Sequence, residues 1–279
     1  MNSSIKSERL GKQLKSMGKV MIAFSGGVDS TVLLKRAQQE LGNNALAVIV
    51  NSELFRDSEF KAAAKTAEDI GANFYTTEIK ELENPHISSN TPDSWYYSKK
   101  MLYTHLRKIA EDFQYPYVLD GMIMDDNNDF RPGLKARSEE GIRSLLQENE
   151  FYKNEVRDLA KKLNLNVWNK LASCSLASRF PYGTKLNKFM INKVNQAEIY
   201  LKEIGFDEVR VRYHDNIARI EVSPEKIKKL LNYNNEIHQK LCELGFDYVS
   251  VDLQGYRVGS MNEVLSENYT NEKQMVSNY

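Results

Sequence analysis

Apolar and polar positions in the first half of the chain alternate between two rhythms. Residues 19–24, 45–50, 73–79 and 115–119 form short apolar or β-rich runs of strand length, the first two almost unbroken, as in strands buried on both faces. Between them the apolar positions take helical spacing at 30–41, Asp57–Ile70 and 98–113, where Met101, Leu102, Leu106 and Ile109 mark one face. Strands separated by helices predict an α/β fold, a parallel sheet with helices on both faces. The last of these strands ends at Asp120-Gly121.

The rhythm then changes. Residues 139–163 read as mostly helical and 164–183 as a loop-rich connector. A helix over 188–205 is closed by Gly205, and two alternating runs, 208–213 and 217–222, are joined by His214-Asp215-Asn216, a hairpin turn. Pro224 opens a helix that stops near Gly245, and 248–253 reads as a last strand. The order helix–strand–strand–helix–strand predicts a smaller C-terminal α+β domain. The expected division is 1–165, then 166–266 with a cysteine-bearing loop at its start, then a polar tail, 267–279, expected to be disordered. No internal repeat is visible.

Composition narrows the classes. The 279 residues carry 38 basic and 38 acidic side chains, so there is no global basic excess of the kind that grips nucleic-acid phosphates. The N-terminal segment lacks the apolar core of a secretory signal, and no run approaches the ~20 apolar residues of a membrane span. These features predict a cytoplasmic protein with neither a nucleic-acid nor a membrane partner. Two cysteines, Cys174 and Cys242, exclude a disulfide framework and cannot alone hold a four-ligand zinc.

Candidate chemistry begins where the first strand gives way to its helix, at Ala23-Phe24-Ser25-Gly26-Gly27-Val28-Asp29-Ser30. A glycine turn between strand and helix presents free backbone N–H groups to an anion. Gly26 and Gly27 allow close approach, Ser25 and Ser30 carry hydroxyls, and Asp29 is placed to hold Mg²⁺ against phosphates. Neither a Walker P-loop nor a dinucleotide G-x-G-x-x-G is present. The string resembles the signature of the PP-loop ATP pyrophosphatase superfamily, whose members cleave ATP between the α and β phosphates and adenylate an oxygen. The resemblance implies an ATP site at the carboxyl ends of the parallel strands, which adds Asn51-Ser52 and Gly121-Met122 to Ala23, Phe24 and the loop itself. On their own residues those two pairs read equally well as ordinary strand-end loops.

Cys174 lies among serines, with Lys170 and Arg179 nearby in sequence; positive charge favours a thiolate. Its residues alone fit an inert surface thiol as well or better. Cys242, beside Leu241 and Leu244, reads as packing. Arg210 and Arg212 alternate along one strand and so share a face, suited to phosphate or carboxylate or simply to solvent. Trp95 suits either core packing or stacking on a flat cationic ring.

Further strings decide between these readings: Asn51–Phe55, Asn90–Lys100, Leu119–Met122, Arg131–Ser138, Ser173-Cys174-Ser175, Ser178–Gly183, Val209–Arg212, Ile217–Glu221 and Tyr256–Asn262. From about residue 19 to 263 the chain resembles the sacrificial sulfur transferases that build the nickel-pincer cofactor of lactate racemase. The resemblance implies that ATP and Mg²⁺ adenylate a carboxylate of a pyridinium biscarboxylic acid mononucleotide. Cys174 then takes the acyl group and surrenders its sulfur, becoming dehydroalanine. It also implies substrate contacts from Trp95, Ser178, Arg179, Arg210 and Arg212, a homohexamer, and traffic with other proteins of that pathway. Relatives that hold an iron–sulfur cluster carry C-x-x-C where this chain has Trp95 to Ser98, so no cluster is expected. Glu198 and Glu221 correspond to metal-binding acids, but Lys229 stands where a further acid is expected, which makes nickel binding doubtful. The alternatives are a tRNA-thiolating or other PP-loop adenylating enzyme, disfavoured by neutrality and the solitary thiol, and a non-catalytic adenine-nucleotide sensor, disfavoured by Asp29 and the cysteine loop.

Overall fold

A computed structural model describes residues 3–128, 133–171, 173–257 and 259–265. The polar tail and Arg131-Pro132 of one matching string lie outside the described residues. In chain order the elements are α1 (Ser3–Met17), β1 (Val20–Ala23), α2 (Val28–Leu41), β2 (Ala45–Asn51), α3 (Asp57–Ile70), β3 (Asn73–Glu78), α4 (Pro85–Ser88), α5 (Ser94–Asp112) and β4 (Tyr117–Leu119). There follow α6 (Gly133–Glu139), α7 (Leu145–Glu148), α8 (Lys153–Lys162), α9 (Lys188–Glu203), β5 (Val209–His214), β6 (Ile217–Val222), α10 (Ile227–Leu231), α11 (Asn234–Glu243) and β7 (Tyr248–Val251). Among the described residues two compact units emerge: the chain up to Glu81 with Trp95–Ser173, and Leu82–Ser94 with the chain from Cys174 to residue 265.

The first unit is built on a four-stranded, wholly parallel sheet in the order β3-β2-β1-β4. Successive residues of a strand face opposite sides. Val20 and Ile22 of β1, with Ala45, Ala47 and Ile49 of β2, therefore join one apolar cluster with α1, α2, α3 and α8. Met21, Leu46, Val48 and Val118 join the other, against Tyr103, Leu106 and Ile109 of α5. Helices thus cover both faces, and the near-continuous apolar runs of β1 and β2 are explained. Burying each of the larger aliphatic side chains, such as Val20, Ile22 or Leu46, contributes roughly 1.5–3 kcal/mol.

Differences from the sequence reading are local. α1 is not among the elements predicted from the hydrophobic pattern, although Leu10, Leu14 and Met17, all buried, mark its inner face at helical spacing. The stretch expected to be mostly helical, 139–163, holds only two short helices, α7 and α8: the chain leaves α6 through a bend at Gly141 and separates α7 from α8 at Glu150, both with positive φ.

In the second unit β5 and β6 form an antiparallel hairpin with His214 opposite Ile217. Asp215 and Asn216 both adopt left-handed φ, 45° and 70°, as the tight hairpin turn requires. β7 joins β6 in parallel. The helix expected after Pro224 is instead a 3₁₀ turn followed by α10 and α11, interrupted at Asn232-Tyr233. β7 stops at Val251, short of Leu253, which is almost fully exposed. Residues 82–94 fold with this unit because Asn90 donates to the carbonyls of Phe180 and Pro181 at 3.2 and 3.0 Å, and Gly183 N–H returns a bond to Asn90 O at 2.9 Å. Among the described residues no helix is long and apolar enough to cross a membrane.

Candidate nucleotide site and cysteine loop

The strand order places a switch point between β1 and β4: from β1 the chain winds toward β2 and β3, and β4 returns on the other side. Open parallel sheets bind ligands at the carboxyl ends of strands at such a point. Ala23 ends β1, and Phe24, buried, extends its pairing by donating N–H to Val48 O at 2.9 Å. Gly26 then turns with φ 66°, a conformation a β-carbon disfavours. A Cβ there would also lie 2.8 Å from Ala63 Cα of α3. Gly27 is extended and caps α2 with no side-chain bond to the first turn. The N–H groups of Val28, Asp29 and Ser30 consequently have no acceptor within the helix, and they add to the positive end of its dipole. Ser25 Oγ and Ser30 Oγ lie 3.1 Å apart at the mouth of the turn. Gly121, after β4, closes on the same turn: a Cβ on it would sit 2.8 Å from Ser30 N. Two glycines far apart in sequence are thus needed so that backbone can pack on backbone.

Two lysines reach this loop. Lys153, at the start of α8, pairs with Asp29 Oδ2 at 2.7 Å. Lys170 donates to Gly26 O at 2.8 Å. Sequence reasoning missed Lys153 and named Lys170 only as a charge near Cys174; no local pattern marks Lys153 or ties Lys170 to a residue 144 positions away. Asp29 Oδ1 is buried without a hydrogen-bond partner among the described residues. An orphaned carboxylate oxygen beside the helix N-terminus fits a hydrated cation, so Asp29 suits Mg²⁺ in the way its sequence position suggests.

The strand ends hold buried acids that sequence reasoning also missed. Ser52 Oγ accepts from Leu54 N–H at 3.1 Å and donates to the Glu81 carboxylate, which also accepts from Ser98 Oγ. The neighbouring Asn51 has its side-chain oxygen buried and without a partner among the described residues. Asp120 accepts from Tyr103 OH at 2.8 Å, from Ser144 Oγ at 2.5 Å and from Met122 N–H at 3.2 Å, which fixes the Gly121-Met122 turn. Burial pushes the Glu81 carboxyl above its ordinary range, against the pull of the Ser52 and Ser98 hydroxyls. An acid whose pKa rises on folding stabilises the fold below its unfolded pKa and loses that contribution as pH climbs through its folded value. Glu81→Gln should remove this loss, so the stability difference between variant and wild type should shift in the variant's favour as pH rises from acid to neutral. Denaturant melts across that range check it, and a constant difference would refute it.

Cys174 is exposed and free. Its loop is held from beneath by Arg179, which is 1% exposed. Arg179 Nη1 donates to the main-chain oxygens of Cys174 and Ser175, at 3.4 and 3.1 Å, and to Ser178 Oγ at 2.6 Å. Its Nε and Nη2 pair with Glu198 at 2.9 and 3.3 Å. Burial pulls this guanidinium down, but Glu198 outweighs it and the net shift is upward. Arg212 repeats the device: Nη1 donates to Ser178 O at 2.6 Å, and Nη2 to Glu221 at 2.8 Å and to Ser260 Oγ at 2.8 Å.

These contacts alter several expectations. Arg179 and Arg212 are buried in ion pairs, so their guanidinium groups act on the loop's own backbone. Of the three arginines read as substrate contacts, Arg210 is the partly exposed one, stacked on Tyr256 at 5.1 Å. Glu198 and Glu221 are fully buried and serve as arginine partners, Glu198 also accepting from Val211 N–H at 3.0 Å. They do not fit a metal, because a cation there would have to displace the guanidinium groups that neutralise them. Lys229 Nζ lies instead near Gly205 O, at 3.4 Å. Trp95 is partly buried in the first turn of α5 and belongs to the first unit.

A parallel sheet with its glycine turn at the switch point, open first-turn N–H groups and an acid beside them defines a PP-loop enzyme. The family model described as NAD synthase matches residues 6–118. A pyridinium-3,5-bisthiocarboxylic acid mononucleotide synthase of Lactiplantibacillus plantarum is 53% identical over 255 residues, 91% of this chain and 92% of that protein. A protein of Synechocystis sp. described as uncharacterized is 38% identical, covering 94% and 98%. A glutamine-hydrolyzing GMP synthase component of Thermoplasma acidophilum matches 55% of the chain and 54% of its own length at 28% identity. The chain belongs to the LarE family of pyridinium-3,5-bisthiocarboxylic acid mononucleotide synthases, PP-loop sulfurtransferases of nickel-pincer cofactor synthesis.

Proposed function

We propose that this chain converts a carboxylate of pyridinium-3,5-biscarboxylic acid mononucleotide to a thiocarboxylate, using ATP for activation and Cys174 as the sulfur source. The observation that carries the reading is an exposed thiol on a loop whose main chain is gripped by a buried arginine. The activity for which the Lactiplantibacillus relative is named supports the substrate.

The chemistry runs in three steps. A substrate carboxylate oxygen attacks the α-phosphorus of ATP and pyrophosphate leaves; the open N–H groups of Val28, Asp29 and Ser30 favour the phosphates. Mg²⁺, held by Asp29, supplies neutralisation of phosphate charge when bound. The Cys174 thiolate attacks the acyl carbon, the C–O bond to AMP breaks, and a thioester forms. A base then takes the Cys174 Cα proton; the Cα–Cβ double bond forms, the Cβ–S bond breaks, and its electron pair leaves on the thiocarboxylate sulfur. Dehydroalanine remains, so each chain serves one carboxylate and a second chain the other. Arg210 and Trp95 contribute to holding the anionic and aromatic parts of the substrate. The biscarboxylate must arrive from other proteins of the same pathway, and the cytoplasm is the compartment that supplies ATP.

Pyrophosphate release from ATP should require the pyridinium dicarboxylate and be indifferent to added RNA. Release stimulated by RNA would transfer the protein to tRNA thiolation, and no release under any condition would make it a nucleotide sensor.

A further inference from the structure

We infer that Lys170 is a positioning residue that couples the phosphate loop to the cysteine, so that the activated acyl group is met by sulfur rather than by water. The inference rests on the proposed sulfur transfer. Lys170 lies four positions before Cys174 and donates its ammonium to Gly26 O, at 2.8 Å, in the centre of the glycine turn. Ser173, immediately before Cys174, donates its hydroxyl to Glu59 in the first turn of α3. Glu59 is itself held by Arg56 at 2.9 Å.

Glu59 and Ala63 are four apart on α3 and therefore lie on one face. Ala63 is the residue against which Gly26 is pressed. Lys170 and Ser173 thus fasten to two sides of a single packing contact: the carbonyl of Gly26, and the helix face that lies on Gly26. The chain enters Cys174 directly from these two attachments, and one peptide step spans about 3.8 Å. The Lys170 charge is directed at the turn itself, where the nucleotide phosphates are expected. The arrangement makes the approach of the cysteine depend on the shape of the loaded loop, since any shift of Gly26 O is passed to the residues just before the thiol.

Loss of this coupling has a distinctive consequence. An acyl adenylate that sulfur does not reach is attacked by water at the acyl carbon; the C–O bond to AMP breaks, AMP leaves, a proton is lost and the original carboxylate returns. ATP is then consumed without thiocarboxylate.

The test measures AMP and thiocarboxylate in the same reaction, with the full chain, ATP, Mg²⁺ and the pyridinium dicarboxylate. Wild type should give one AMP per thiocarboxylate. Lys170→Met should keep forming AMP while its ratio of AMP to thiocarboxylate rises about tenfold or more, as small misplacements of reacting groups do. Lys170→Arg, which keeps a cationic donor, should restore most of the coupling, and Ser173→Ala should raise the ratio more modestly. A ratio unchanged in Lys170→Met, with both products falling together, would reduce Lys170 to a structural contact and overturn the inference. Loss of AMP formation itself in both Lys170 variants would assign the residue to nucleotide binding and also overturn it. If wild type makes AMP but no thiocarboxylate, the sulfur-transfer reading fails first and takes this inference with it.

Discussion

Replacement of Cys174 by Ala should abolish thiocarboxylate formation while leaving substrate-dependent pyrophosphate release intact. Cys174 is exposed, so removing its sulfur opens no cavity and should change stability by less than about 0.5 kcal/mol. The groups placed to bind phosphates are elsewhere, in Ser25, Gly26, Gly27, Asp29 and Ser30 with the first turn of α2. The variant therefore separates adenylation from sulfur transfer. In the unaltered protein, intact-mass spectrometry after turnover should show the loss of one hydrogen sulfide per chain, mapped to Cys174. A Cys174 that keeps its sulfur after product has accumulated would disprove sacrifice. Sulfur transfer by Cys174→Ala would place the donor at another residue, with Cys242 the remaining thiol of the chain.

Arg179→Met should be the most destabilising of the substitutions around the cysteine loop. It leaves Glu198, fully buried, with its charge uncompensated, which typically costs about 3–5 kcal/mol. It also strips donors from the main-chain oxygens of Cys174 and Ser175. Stability and positioning can be told apart with a double variant. Arg179→Met combined with Glu198→Leu removes both charges, and such apolar replacement of a buried pair is often neutral in stability. The double variant should therefore recover much of the melting temperature and still transfer sulfur poorly. Full recovery of transfer along with stability would mean that Arg179 serves only the fold.

The two kinds of site are not equally legible in the sequence. The phosphate turn can be read because its chemistry is local: strand, two glycines, an acid and a helix start lie within eight consecutive residues. The parallel sheet is legible because two-sided burial leaves an unbroken apolar run, as at Met21 and Ile22, which face opposite clusters. The supporting groups are another matter. Glu81, Asp120, Lys153 and Lys170 each gain their role from a partner between 2 and 144 residues away, and nothing in their immediate neighbours names that partner. Arg210 and Arg212 show the limit most clearly. Alternation puts both on one face of β5, yet periodicity cannot say which one is paired. Arg212 is buried and paired with Glu221 and Ser260, whereas Arg210 lies on Tyr256 with a partly open guanidinium. Pairing also commits both carboxylate oxygens of Glu198 and of Glu221, acids at suggestive positions, to arginines rather than leaving them open to a cation.

Arg179 grips carbonyl oxygens of the peptide chain, and its hold does not run through the sulfur. Those oxygens survive when a cysteine becomes dehydroalanine, so the reacted protein should keep its shape and go on occupying nucleotide and substrate as a decoy. A cell relying on such a protein would have to outnumber its own exhausted copies or clear them, and the yield of cofactor would follow the rate of protein synthesis rather than the speed of any chemical step.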